Sequence, residues 1–128
     1  MAIGMQKQTQ SSFEDVLARI PDLLKAEGFG VLTQIDVQET LKAKLGVAFR
    51  KYRILGACNP PLAHRALSAV TGIGVLLPCN VAVWEGDDGR AVVAAVDPMQ
   101  TIAAQSPELA PVAEEVGKRL ARVLERIS

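Results

Sequence analysis

The stretch Leu76-Leu77-Pro78-Cys79-Asn80-Val81-Ala82-Val83-Trp84-Glu85-Gly86-Asp87-Asp88-Gly89-Arg90-Ala91-Val92-Val93-Ala94-Ala95-Val96 reads as two strands joined by a tight reversal. Residues 76–85 and 90–96 are rich in β-branched and small apolar side chains. Between them Gly86-Asp87-Asp88-Gly89 supplies the residue types that tolerate the positive φ of a hairpin turn. A lone two-stranded hairpin is marginal in water, so this one needs further strands beside it and a layer to cover it. Two upstream segments qualify as strands: 29–35, where Phe29, Val31 and Ile35 alternate with other residues, and 52–58, extended at Arg53-Ile54-Leu55.

The covering layer is legible as helices. Ser11 and Glu14 form a capping box, followed by an apolar stripe at Phe13, Val16, Leu17, Ile20, Leu23 and Leu24, with Gly28 as the stop. Pro21 is discordant there and predicts a kink or a split. Asp36 and Glu39 open a short helix to Leu45, with Leu41 and Leu45 turned inward. Asn59-Pro60 is a helix opening, asparagine as N-cap and proline in the first turn. Leu62, Ala63, Ala66, Leu67 and Val70 give that helix its inward face, and Gly72 and Gly74 end it. After a short turn at Asp97-Pro98, Ser106-Pro107 caps the last helix, its regular part delayed by Pro111, with a stripe from Leu109 to Ile127. Segments follow in the order helix, strand, helix, strand, helix, hairpin, helix. This predicts a single α+β domain over residues 11–128, with a mainly antiparallel sheet of about four strands and helices on one face. Residues 1–10, rich in Gln, are expected as a disordered lead.

The chain has 128 residues, 49% of them apolar and 22% charged, the profile of one globular domain. Lys+Arg and Asp+Glu are 14 each, so no basic surface for nucleic acid or membranes is expected. Two cysteines are too few for a disulfide scaffold and fit a reducing compartment. The first twelve residues carry one Lys and no apolar run, and the longest apolar runs, 73–78 and 91–96, are far short of a membrane span. A cytoplasmic protein is therefore expected.

Familiar catalytic motifs are missing. Gly28-Phe29-Gly30 and Gly72-Ile73-Gly74 lack the third glycine and the strand-then-helix context of a dinucleotide loop. A Ser-His-Asp hydrolase would have to be built on the single His64, which falls on the flank of its helix beside Arg65 and reads as a surface residue. What stands out is a repeated element, Ala57-Cys58-Asn59-Pro60 and Pro78-Cys79-Asn80-Val81. Cys58 lies just before a helix N-terminus, where N–H groups and the dipole favour a thiolate; that setting suits a nucleophile, a redox thiol or a soft-metal ligand. The plainer reading makes both cysteines small buried hydrophobes and both asparagines caps or turn residues. Arg50, Lys51 and Arg53 read as a solvated strand edge, Asp36 as a cap and Lys44 as an outward helix residue.

Several of these stretches together resemble a known family. They are Gly28-Phe29-Gly30-Val31-Leu32-Thr33-Gln34-Ile35-Asp36-Val37 with Leu41 to Gly46, Tyr52 to Pro60 with Leu62-Ala63 and Ala66-Leu67, Gly74 to Val83, and Val96-Asp97-Pro98. The pattern resembles the bacterial and archaeal family catalogued as domain of unknown function 302. The resemblance implies a TATA-binding-protein-like arrangement, a curved antiparallel sheet with helices packed on it, and a homodimer. It implies no activity. Its hallmark positions fall here on Asp36, Lys44, Cys58, Asn59, Pro60, Pro78, Cys79 and Asn80, and Pro21 departs from the usual first helix.

The leading expectation is a dimeric binding protein that presents Cys58, Asn59, Cys79 and Asn80, with Asp36 and Lys44 as further ligand contacts, to a small molecule or a soft metal held by the two thiols. Two others stand beside it. One is a thiol-based redox or transfer enzyme with Cys58 as nucleophile and Cys79 resolving, and the other is a structural or interaction domain with buried cysteines. No cofactor is assigned.

Overall fold

The computed structural model describes residues 3–128 of the chain. Five strands, β1 (Met5–Gln8), β2 (Gly30–Asp36), β3 (Tyr52–Cys58), β4 (Cys79–Glu85) and β5 (Ala91–Ala95), form one sheet in the order β1-β5-β4-β3-β2, with every neighbouring pair antiparallel. Four α-helices, α1 (Phe13–Ala26), α2 (Val37–Leu45), α3 (Pro60–Ala69) and α4 (Ala110–Glu125), complete a single α+β domain. Among the described residues no helix is long and apolar enough to cross a membrane.

The period of two along each strand sorts the sheet into two faces. Leu55, Ala57, Val81, Val83, Ala91, Val93 and Ala95 are buried beneath the helices, together with Val16, Ile20 and Leu24 of α1 and Leu120, Val123 and Leu124 of α4. On the other face the paired residues Ile54 and Ala82, Ala82 and Ala94, and Trp84 and Val92 stay partly open, and Tyr52 stacks on Trp84 with ring centroids 5.4 Å apart. Gln100 and Thr101 border that face beside Asn80 and Ala94.

Several expectations shift. The sheet has five strands rather than four because Met5–Gln8, expected within the disordered lead, pairs with β5. Met5 sits opposite Ala95 on the core face and Gln6 opposite Ala94 on the open face, so the alternation exists but polar side chains disguise it. Met1 and Ala2 lie outside the described residues. The N-cap of α1 is Ser12, whose hydroxyl accepts from the Asp15 amide at 3.1 Å, while Ser11 donates to the carbonyl of Ser128 at 2.7 Å. Pro21 lies exposed inside α1 and does not divide it. In α2, Asp36 caps as expected, but Leu45 is 68% exposed and no residue of the helix is buried, against the inward face expected for Leu41 and Leu45. Residues 71–76 form a 3₁₀ turn, so β4 begins only at Cys79, after a cis Leu77-Pro78 peptide.

Candidate functional site

Cys58 ends β3, Asn59 follows as the N-cap of α3, and Cys79 opens β4 one register position away, since Ala57 pairs with Cys79. The two Cys-Asn elements are thus neighbours in the sheet although 21 residues apart in the chain. The helix that starts at Pro60 leans on α4 and on the 3₁₀ turn rather than on the sheet. Its side toward the strands carries Ala63 and Ala66, whose short side chains leave the gap unfilled. The result is a cleft of about 330 Å³ between α3, the N-terminal half of α4 and the β2–β3–β4 end of the sheet. Phe29, Leu32, Leu62, Leu67, Leu77 and Pro78 make its walls nearly all apolar, and both thiols line it.

Local features hold this shape. Gly56 pairs with Thr33 and Asn80, and a Cβ on it would collide with Thr33 Oγ1 and meet the Pro78 ring at 2.7 Å. Only glycine there lets Pro78 lie across β3 at the edge of the cleft. At the bulge where pairing slips between Val31 and Thr33, Leu32 is 68% exposed at the rim.

Asn59 is buried, and its polar atoms are engaged within the protein. Oδ1 accepts from the Leu62 amide at 3.2 Å, and Nδ2 donates to the carbonyl of Glu27 at 3.4 Å. Glu27 closes α1, and Arg119 Nη1 donates to the same carbonyl at 3.0 Å. The Glu27 carboxylate is buried and receives Arg122 at 2.9 Å and Arg126 at 3.6 Å. The hydrogen bond from Arg122 holds its carboxyl below the ordinary value against the pull of burial, and the charges of Arg122, Arg126 and Arg119 add to the effect. Gly28, at φ +86°, then turns the chain so that Phe29 enters the core beside the cleft, and a Cβ there would meet Asn59 Nδ2 at 2.8 Å. Asn59 of α3 and Arg119 of α4 thus meet on the Glu27 carbonyl of α1, and the three helices are tied there behind the cleft.

The setting of Cys79 is not that of an activated thiol. Burial pushes the Cys79 thiol up to about 11, with the neighbouring Cys58 adding to the rise. A thiol held protonated in this way is a slow nucleophile at neutral pH. Both cysteines are free and half-buried.

Of the eight residues singled out in the sequence, Cys58, Asn59, Pro78 and Cys79 line the cleft, and Pro60 opens α3 behind them. Asn80 does not: one step along β4 turns it to the open face, in a hollow with Ala82, Trp84 and Ala94. Asp36 stands at the far end of β2, opposite Arg53, six residues or roughly 20 Å of strand from Gly30 and Cys58. There it caps α2 through the Glu39 amide at 3.0 Å and pairs with Arg53 at 3.3 Å, beside the ion pair of Lys51 with Glu14. Lys44 is exposed in the last turn of α2, and His64 is exposed on α3. Among the described residues no group of three or more His, Cys, Asp and Glu comes together. Leu32, Leu67, Val112 and Val116 escaped the sequence reading as site residues because apolar walls carry no motif; only the alanine-rich inner side of α3 hinted at a gap.

No curated protein matches the chain. The crystal structure of an uncharacterized conserved protein DUF302 from Bacillus stearothermophilus is similar over 97% of both chains, with 32% identity and a TM-score of 0.89. The model of the family described as domain of unknown function DUF302 matches residues 5–127, which takes in all five strands and all four α-helices. The chain therefore belongs to the DUF302 family.

Proposed function

We propose that this protein is a cytoplasmic, homodimeric binding protein whose small-molecule ligand occupies the cleft shared by Cys58 and Cys79. The observation that carries the reading is the meeting of the two thiols in one apolar cleft of about 330 Å³, within the size range of small-molecule sites. Asn59 serves that cleft from behind as its clamp. Asn80, Asp36 and Lys44 fall to other surfaces. Two sulfurs with no third donor grouped beside them among the described residues favour an organic ligand over a four-coordinate zinc. The raised Cys79 thiol argues in the same direction against a resolving cysteine.

The dimer is supported by the partly open face of the sheet. Ile54, Ala82, Val92 and Ala94 with Trp84 and Tyr52 form a continuous apolar area of the kind that marks an interaction surface, and α2 buries none of its residues. Native mass spectrometry of protein purified anaerobically, beside a denatured sample, tests both parts. The expected result is a dimer carrying a non-covalent mass that is lost on denaturation and absent from Ala63→Trp, where an indole fills the cleft. A monomer overturns the dimer, and a bound mass that persists in Ala63→Trp overturns the cleft.

A further inference from the structure

A second apolar space adjoins the cleft at Cys79. It has a volume of about 60 Å³ and is lined by Ile73 and Leu76 of the 3₁₀ turn Thr71–Leu76 and by Ala103 and Ala113. Ala66, Leu77, Cys79, Val112 and Val116 line both spaces, so Cys79 stands between them. Neither wall holds an Asp, Glu, Lys, Arg or His. A carboxylate or phosphate inside would be desolvated without a partner, which costs far more than apolar contact returns. A fused ring system has room in the larger space and exceeds the 60 Å³ of the smaller one, whereas the end of a polymethylene chain fits it.

We infer that the ligand is a slender, uncharged aliphatic chain, its polar end at the Leu32 rim beside Cys58 and its tail past Cys79 in the second cavity. This rests on the reading of the cleft as the binding site and names the class of molecule it takes. Calorimetric titration of the 128-residue chain with straight-chain 1-alkanols from hexanol to dodecanol tests it. Affinity is expected to rise about fourfold per added methylene until the second cavity is full, then to level off. Ala103→Leu, and the more exposed Leu76→Phe in case the first perturbs folding, are expected to bring that plateau to shorter chains while leaving hexanol binding unchanged. Affinity that is flat with chain length, naphthalene binding tighter than decanol, or decanoate binding tighter than decanol each overturns the inference. If hexanol binds and Ala63→Trp abolishes it while chain length has no effect, the cleft stands and only the chain-shaped ligand falls. If neither an alkanol nor naphthalene binds, both fall.

Discussion

Cys58 and Cys79 are chemically alike in the sequence and unlike in the fold, because one ends a strand at the rim and the other is packed against the core. Alkylation of Cys79 followed against pH should therefore reach half its limiting rate near pH 11 rather than near the ordinary 9.0, and Cys58→Ala should move that midpoint down by removing the smaller, neighbouring contribution. Asn59 makes a second residue-scale claim. Asn59→Ala removes a helix cap and leaves the Glu27 carbonyl with one donor fewer, and urea denaturation should show a loss of roughly 1–2 kcal/mol. Its role as a cap was legible from Asn59-Pro60 alone, since capping is local chemistry. Its bond to Glu27 was not, because it joins residues 32 apart.

At the scale of elements, α1, α3 and α4 are held by the Glu27 node rather than by hydrophobic stripes alone. The carboxyl of Glu27 is lowered in the fold, so its stabilising contribution is present above the ordinary value of 4.5 and is lost as pH falls through the folded value. Glu27→Gln should lower the denaturation midpoint at pH 7, and its stability should fall less than the wild type's on acidification below pH 4.5. The helices themselves were readable, because α1 and α4 carry long apolar stripes and capping signals over a local 3.6-residue period. β1 was not, since a four-residue Met-Gln-Lys-Gln strand owes its conformation to the free edge of β5 and not to its own propensity. The inward turn expected of Leu45 failed for the same kind of reason: a helical pattern of apolar residues says that a face exists and not what covers it.

Across the whole molecule, a single sheet divides the work. Its covered face builds the core and, at the end where α3 stands away, the cleft; its open face offers the area proposed for the meeting of two copies. Ala82→Glu, set in the middle of that open face beside Ile54 and Ala94, should convert the dimer to a folded monomer by light scattering with unchanged circular dichroism. The two Cys-Asn elements are neighbours in the sheet, yet strand alternation splits Cys79 from Asn80, and a six-residue run of strand separates Asp36 from both thiols. Spacing along the chain cannot report which face of a sheet a residue occupies when the register is unknown.

The central claim is that Cys58 and Cys79 share one ligand-filled cleft, and differential alkylation tests it most directly. The native protein would be treated with N-ethylmaleimide with and without saturating decanol, and the extent of modification at each cysteine read by peptide mass spectrometry. Decanol is expected to slow both thiols by the same factor, because one molecule covers both. Protection of one cysteine alone, or of neither, would contradict the shared cleft.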